Sequence, residues 1–209
     1  MRKWSGRLIM WMLVGSVLLV CPVMRSEAGE PQDKIRQTVD DVLAVLDNKK
    51  LEPQQRRTQI RQAVLKRFGF EEMAQRSLGQ HWRTLTPQQQ KEFVELFTDL
   101  LERSYINRIE SYSGGRQGVR YTKEDISGDN ATVDSEIVSG RGESAAVEYR
   151  LLHKDNDWKA YDIIIEGVSL VNNYRTQFNT IITKDSYAGL VKQMRLKRDQ
   201  ENAGSAAKG

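Results

Sequence analysis

The spacing of the apolar residues changes twice along this sequence, and the two changes limit the folds that the chain can adopt. From about residue 30 to residue 111, apolar residues recur every three or four positions, which predicts helices. From about residue 119 to residue 165 they alternate with polar residues, which predicts strands. The helical spacing returns after Gly167. We therefore expect helices, then a block of strands, then helices again.

Several helical segments are expected before the strands. The apolar face of the first consists of Ile35, Val39, Val42, Leu43 and Leu46. Pro53 begins a second helix, and Gly79 ends a short third one. The run Thr86-Pro87-Gln88-Gln89 is a capping box with proline at the first helical position, so it predicts the start of a long helix that extends to about Ser111. Its apolar stripe consists of Phe93, Leu96, Phe97, Leu100, Leu101, Tyr105, Ile106 and Ile109.

The strand block is expected to contain four strands, because turn sequences divide it at Gly128-Asp129-Asn130, Gly140-Arg141-Gly142 and Asp155-Asn156-Asp157. Consecutive strands with short turns predict an antiparallel meander that has one apolar face and one largely solvated face. In the fourth strand, alternation places Lys159 on the same face as Tyr161, Ile163 and Ile165.

Two helices are expected after the strands. The apolar side of the first consists of Leu170, Val171, Tyr174, Phe178, Ile181 and Ile182. The second is expected from about Ser186 to Arg195. Residues 197–209 have almost no apolar side chain to bury, which predicts a flexible polar tail.

Residues 1–28 have the composition of a Sec signal peptide rather than of a folded domain. Three basic residues precede the uncharged apolar run 8–20, which is too short to span a bilayer comfortably. Ser26 and Ala28 supply the small residues of a cleavage site, so we expect cleavage after Ala28 and export of the remaining chain.

Two alternatives for this segment are a permanent N-terminal anchor and lipidation of Cys21. The residue before the cysteine is Val20, which is larger than the residues that lipidation sites prefer. Residues 1–28 hold four basic residues and one acidic residue, so the net charge of +4 for the chain falls to +1 without them. A nearly neutral exported chain is not expected to bind nucleic acid.

The sequence lacks the GxSxG, HExxH, P-loop and GxGxxG motifs, and we predict that the protein is not an enzyme and has no metal or cofactor. His81 and His153 are far apart and have no partners at metal-binding spacing, which favours structural or surface roles. Asp162 and Glu166 lie on one side of the fourth strand and are candidates for a paired-carboxylate site. The simpler interpretation, which we favour, is that both belong to a solvated or salt-bridged strand face.

Large apolar side chains from two helices and from the strands are expected to face one surface of the sheet. Such residues either form a packed core or leave a cavity between the helices and the sheet. The spacing of the residues is compatible with both outcomes.

Two stretches carry family-level motifs. The first is Leu78-Gly79-Gln80-His81-Trp82-Arg83, followed by Thr86-Pro87 and the helix that contains Phe93, Phe97, Leu101 and Tyr105. The second, more specific stretch consists of Val147-Glu148-Tyr149, Trp158-Lys159-Ala160-Tyr161-Asp162, Ile165-Glu166-Gly167-Val168-Ser169-Leu170, Asn173-Tyr174-Arg175 and Gln177-Phe178. Together they resemble the MlaC family of periplasmic phospholipid-binding proteins, also called toluene-tolerance proteins. The resemblance covers roughly residues 33–196.

This resemblance implies an α+β fold, in which helices wrap a strongly curved antiparallel sheet of four or slightly more strands, as in nuclear transport factor two. It implies a periplasmic carrier that holds a phospholipid by its acyl tails. Its implied partners are an outer-membrane lipoprotein complex and an inner-membrane ABC transporter with its substrate-binding membrane protein. Together with the signal peptide and the tail assigned above, the resemblance leads us to expect a signal peptide at 1–28, a phospholipid-binding domain at 29–196 and a tail at 197–209.

The resemblance also suggests which residues hold the lipid. The expected tail pocket consists of Phe97, Leu101, Tyr105, Tyr149, Tyr161, Ile163, Ile165, Val171, Tyr174 and Phe178. Arg175 is expected either at the mouth, near the phosphate, or in a structural ion pair with Glu166. Alternative functions are hopanoid transport by a member of the same family, a ketosteroid-isomerase-like enzyme and an assembly factor with a filled core.

Overall fold

The spacing of the apolar residues predicts the order of the secondary structure correctly. A computed structural model describes residues 29–112, 115, 118–140 and 142–206, with side chains to residue 200. The signal peptide and Cys21 lie outside these residues. The helices are α1 (Glu30–Asp47), α2 (Pro53–Arg67), α3 (Phe70–Leu78), α4 (Pro87–Glu110), α5 (Leu170–Lys184) and α6 (Tyr187–Ala206), with a 3-10 turn at Gly79–Thr84. The strands are β1 (Val119–Ser127), β2 (Asn130–Val138), β3 (Ser144–Lys154), β4 (Asp157–Ile165) and β5 (Val168–Ser169).

The predicted capping box at the start of α4 is present. The Thr86 hydroxyl accepts a hydrogen bond from the Gln89 N–H at 3.3 Å, and the Thr86 N–H donates to Gln89 Oε1 at 2.9 Å. These two bonds give partners to two backbone N–H groups at the helix terminus, which have none within the helix. The start of α4 is therefore determined locally.

The sheet is an antiparallel meander in the order β1-β2-β3-β4-β5. Val133 of β2 lies opposite Tyr149 of β3, which in turn lies opposite Ile163 of β4. The expected α+β fold with a curved antiparallel sheet is confirmed. The sheet has one more strand than the alternation predicts, because the short β5 pairs with the end of β4.

The face assignment predicted for the fourth strand is wrong at one end. The register shifts between β3 and β4 at Arg150 and Leu151, which leaves Tyr161 as an extra residue in β4. A bulge of this kind reverses the faces of the residues beyond it. Ile163 and Ile165 therefore pack with Trp158 and Ala160 on one side, and Tyr161 packs among the helices on the other.

The expectation that Asp162 lies on a solvated strand face is also wrong. Its side chain is 4% exposed, and each carboxylate oxygen has a partner. Oδ2 accepts from the Ser169 hydroxyl at 2.6 Å, and Oδ1 accepts from the Val171 N–H at 3.0 Å. Asp162 thus connects β4 to the first turn of α5 and satisfies a backbone donor that the helix leaves free.

Two apolar clusters form the interior. The first lies among α3, α4, α5 and α6 and contains Phe93, Phe97 and Phe178. The second lies between the sheet and α1 and contains Ile35 and Trp158. Residues of both clusters line an open space between the helices and the sheet.

The last helix continues further than the sequence predicts. It ends at Ala206 rather than near Arg195. Residues such as Ala, Gln, Glu, Lys and Arg favour helix without needing an apolar face, so low burial alone does not end the helix here.

Across residues 29–206, apart from the short gaps between them, no helix combines the length and the apolar character needed to cross a membrane.

Candidate functional site

An apolar cavity of about 500 Å³ lies between the sheet and helices α1, α2 and α4. Its volume is within the usual range for sites that enclose small molecules. The sheet wall consists of Val119, Ile137, Ala145, Val147, Tyr149, Ile163 and Ile165. The helical walls include Ile35, Val39, Val42, Leu43 and Leu46 of α1, Ile60, Val64 and Leu65 of α2, and Leu101, Tyr105, Ile106 and Ile109 of α4.

The cavity is open on one side, near α2 and the end of α4. Leu65 lies on its wall although 41% of that residue is exposed. Arg108, in the last turn of α4, is also both exposed and on the wall. A ligand in the cavity can thus bury apolar groups inside while one end of it remains in contact with water.

Most polar side chains on the wall already have partners within the protein. The hydroxyls of Thr38 and Thr98 donate to Lys34 O at 3.0 Å and to Val94 O at 2.8 Å, respectively. Arg61 forms ion pairs with Glu102 and, at 3.5 Å, with Asp99. The interior of the cavity therefore offers a ligand few groups with which it can form a directed hydrogen bond.

Tyr149 is the most deeply buried of the wall tyrosines. Burial raises its pKa to about 12, and a hydrogen bond with Ser135 opposes that rise. The phenol therefore stays neutral at physiological pH. It contributes a large, uncharged surface to the sheet wall.

The structure places five of the residues predicted for the tail pocket on the cavity wall. They are Leu101, Tyr105, Tyr149, Ile163 and Ile165. Two come from α4 and three from neighbouring strands, so the fold brings together residues that are up to 64 positions apart in the sequence.

The other five residues predicted for the tail pocket lie outside the cavity wall, and so does Arg175. Four of them belong to the helical cluster: Phe97, Val171, Tyr174 and Phe178. The Phe97 ring meets the Tyr174 ring edge-on, with 5.3 Å between the ring centroids. The centroids of the Phe97 and Phe178 rings are 5.7 Å apart. These rings fill the space between α4 and α5, so the aromatic side chains that the sequence suggested for a tail pocket form a packed core there.

The remaining two, Tyr161 and Arg175, both contact Arg76 of α3. The Arg76 guanidinium lies over the Tyr161 ring at 4.1 Å. Arg175 Nε donates to the backbone oxygen of Arg76 at 2.8 Å. Glu166, suggested as an ion-pair partner of Arg175, instead accepts from the Ala146 N–H. Neither of the two roles considered for Arg175 matches this position.

Sequence reasoning missed the contribution of α1 and α2 to the site. It identified the apolar face of α1, but an apolar face has the same spacing whether it covers a packed core or a cavity. The eight apolar residues of α1 and α2 named above supply much of the helical wall.

The groups considered for catalysis lie apart and have structural partners. Asp162 binds the start of α5, and Glu166 binds the backbone of β3. His81 Nε2 lies 2.9 Å from Asn179 Oδ1, and the His153 ring packs against Trp158. Within the part of the chain that the structure describes, no group of three His, Cys, Asp or Glu residues could hold a metal ion.

Comparisons with known proteins agree on one family. The family described as MlaC protein matches residues 36–196. The intermembrane phospholipid transport system binding protein MlaC of Haemophilus influenzae is 24% identical over 211 residues, which are 96% of this chain and 95% of that protein. The toluene tolerance protein ttg2D of Pseudomonas putida is 29% identical over 96 residues, 46% of this chain and 44% of that one.

A solved structure has a similar fold. The phospholipid-binding protein of Ralstonia solanacearum, determined in complex with a phospholipid, superposes with a TM-score of 0.73 and 29% sequence identity. The match covers 82% of this chain and 98% of that chain.

Proposed function

Because this chain belongs to the MlaC family, we propose that it is a phospholipid carrier that encloses the acyl tails of its cargo in the cavity between the sheet and α1, α2 and α4. The observation that carries this proposal is the character of the cavity. It is large, its walls are apolar, and it is open at one side. These are the properties that an amphiphile with a polar end requires.

The free energies involved favour a carrier. Burial of a CH₂ group from water contributes about 0.8 kcal/mol, so exposing two long acyl chains costs on the order of 20 kcal/mol. A phospholipid therefore does not cross an aqueous compartment unaided at a useful rate. A protein that replaces the bilayer around the tails removes most of this barrier.

A carrier must also release its cargo, which favours the kind of wall seen here. Directed polar contacts inside the cavity would add affinity and slow release. The threonines and Arg61 on the wall have partners within the protein, so binding relies on apolar contact.

We place the carrier in the periplasm, after cleavage of residues 1–28 behind Ala28. There it takes lipid from one membrane complex and delivers it to another. The partners that we propose are an outer-membrane lipoprotein complex and an inner-membrane ABC transporter with its substrate-binding membrane protein. The Haemophilus relative is named as the binding protein of an intermembrane phospholipid transport system, which supports this place in the process.

Native mass spectrometry of protein purified from the periplasm, followed by organic extraction, tests the proposal. We expect the mass of the chain without residues 1–28, together with a diacyl phospholipid. A bound hopanoid would instead support the related transport function. Protein that contains no lipid and takes none up from vesicles would contradict a carrier and support an assembly factor or an enzyme.

A pair of adjacent substitutions on β3 tests the site itself. Ala145 lies on the cavity wall, whereas the neighbouring Ala146 is exposed on the opposite face. We expect Ala145→Trp to reduce bound phospholipid about fivefold or more, because the indole occupies the space of the tails. Ala146→Trp should leave the lipid content unchanged. Equal lipid content in the two variants would contradict the proposed cavity.

A further inference from the structure

Two arginines of the described residues, Arg61 and Arg108, lie on the cavity wall, and their surroundings differ. Arg57 and Arg61 of α2 both pair with carboxylates of α4: Arg57 with Glu110 at 3.0 Å, and Arg61 with Glu102. Arg108 also lies on the wall, but among the described residues its guanidinium has no carboxylate or other hydrogen-bond partner, and only its backbone oxygen accepts a bond, from the Ser111 hydroxyl at 2.9 Å.

The sequence around Arg108 explains why it has no such partner. On a helix, a side chain meets the residues three and four positions away. For Arg108 these are Ser104, Tyr105, Ser111 and Tyr112, and none of them is acidic. Glu102 and Glu110, the acidic wall and rim residues on the same helix, are already paired with the arginines of α2.

Tyr105 is the neighbour that completes the site. It lies on the same face of α4, one turn before Arg108, and on the cavity wall. No described residue forms a hydrogen bond with its hydroxyl, whereas the Tyr112 hydroxyl donates to Gly115 O at 3.0 Å. Burial and then Tyr174 raise the pKa of Tyr105, while the nearby positive charge of Arg108 opposes the rise. The phenol is therefore a neutral donor beside a permanent cation.

These two residues are at the boundary between the apolar wall and water. Tyr105 is half-buried and Arg108 is exposed, while Leu101 one turn deeper is buried. A ligand whose tails occupy the cavity places its polar end at this level. A guanidinium and a phenol there present several N–H and O–H donors, which suit the oxygens of a phosphate group.

We propose that Arg108 and Tyr105 bind the phosphate of the lipid held in the cavity, so that the protein prefers phosphate-bearing lipids over neutral lipids with the same tails. This inference rests on the proposed carrier function and deepens it. It assigns to Arg108 the role that the sequence suggested for Arg175, which lies instead against the backbone of α3. Burial of the lipid tails provides most of the affinity, and the two polar side chains provide the preference for lipids that carry a phosphate.

The test compares two lipids that differ only at the polar end: dioleoyl phosphatidylglycerol and dioleoylglycerol. Delipidated protein from the periplasm is equilibrated with each, and bound lipid is quantified by native mass spectrometry. We expect the wild-type protein to bind the phospholipid about tenfold more tightly, as one charge-assisted contact near the surface allows. Arg108→Gln should bring this ratio close to one, because it should lower the affinity for the phospholipid far more than the affinity for dioleoylglycerol.

Further variants separate this role from a general effect of charge. Arg108→Lys should retain part of the ratio, and Tyr105→Phe should reduce it about threefold. Arg83→Gln removes an exposed positive charge outside the cavity and should retain the full ratio, as should Arg175→Gln. A ratio that persists in Arg108→Gln, or that falls equally in Arg83→Gln, would overturn the proposal.

A competition experiment and the binding of the two dioleoyl lipids together define what the site recognises. Glycerol 3-phosphate in excess should not displace the phospholipid, because the phosphate contact is weak without the tails. Displacement that depends on Arg108 would overturn the assignment to a lipid and indicate a site for free phosphate esters. Wild-type protein that binds neither dioleoyl lipid would overturn the carrier function itself, whereas binding of both with no preference would overturn the phosphate site alone.

Discussion

The guanidinium of Arg67, which is 3% exposed, donates a hydrogen bond from Nη1 to Asp157 Oδ1 at 3.0 Å. This contact joins the last residue of α2 to the first residue of β4. Arg67 also donates to the Trp158 carbonyl, and Lys159 Nζ lies 2.9 Å from Asp157 Oδ2. Helix α2, which forms part of the cavity wall, is thereby attached to the sheet at its C-terminal end through the buried charge of Arg67.

Removal of the carboxylate should destabilise the protein strongly. Asp157→Asn leaves the Arg67 guanidinium buried without its counter-charge, and we expect the free energy of unfolding to fall by about 3 kcal/mol. Asp125→Asn is a matched control, since Asp125 pairs with Lys123 only at 3.9 Å on the exposed surface. It should cost less than about 0.5 kcal/mol in urea unfolding. Similar losses in the two variants would show that the buried pair has no special role.

The same pair predicts a dependence of stability on pH. Burial is the largest single influence on the pKa of Asp157 and raises it, but Lys159 and Arg67 together hold the pKa at about 2. Since this is below the unfolded value, the stabilisation is present above about pH 4 and is lost as the pH falls towards 2.

Between pH 5 and pH 2, the free energy of unfolding of the wild-type protein should therefore fall by about 1–2 kcal/mol more than that of Asp157→Asn. This figure includes a reduction because water partly screens the Asp157 carboxylate. Urea unfolding at several pH values measures this difference. Parallel pH profiles for the two proteins would contradict the assignment of the low pKa to Asp157.

The helical aromatic cluster should determine stability rather than lipid content. Phe97 is fully buried and contacts the rings of Phe93, Tyr174 and Phe178. Phe97→Ala should lower the free energy of unfolding by about 3–5 kcal/mol, and Phe97→Leu by clearly less. The lipid bound per folded molecule of Phe97→Leu should remain that of the wild type. Loss of lipid at normal stability would instead place Phe97 in the tail pocket.

Ion pairs between α2 and α4 should slow the release of lipid. Arg57–Glu110 and Arg61–Glu102 connect the two helices on either side of the cavity. The double variant Glu102→Gln, Glu110→Gln should speed transfer of a fluorescent phospholipid to vesicles about two- to fivefold, because each half-exposed pair contributes only modestly. Glu136→Gln breaks a pair with Arg120 on the sheet and should leave the rate unchanged. Equal rates in all three proteins would contradict a role for these pairs in release.

Much of the fold follows from local signals in the sequence. The capping box at Thr86 and the turn sequences 128–130 and 155–157 act over a few residues, so they fix where elements begin and end. The bulge at Tyr161 could not be predicted in this way. It depends on how β4 pairs with β3, and a single added residue reverses the face of every residue beyond it.

The cavity wall was predictable only in part, for a related reason. Ile163 on the wall and Phe97 in the packed core are both large apolar residues at regular spacing. Arg108 and Arg175 are likewise both exposed arginines on helices, Arg108 in the last turn of α4 and Arg175 within α5. Their different surroundings arise from which elements pack against them.

By itself, the sequence determined the order of helices and strands, the antiparallel pairing of neighbouring strands and membership of the MlaC family, because these depend on local spacing and on motifs. The tertiary structure decided that α1 and α2 close the cavity, that the aromatic residues of α4 and α5 form a solid core, and that Arg108 rather than Arg175 lies on the cavity wall. Burial and the absence of a counter-charge are properties of a side chain's neighbours, and residues far apart in the chain become neighbours only when the helices pack on the sheet.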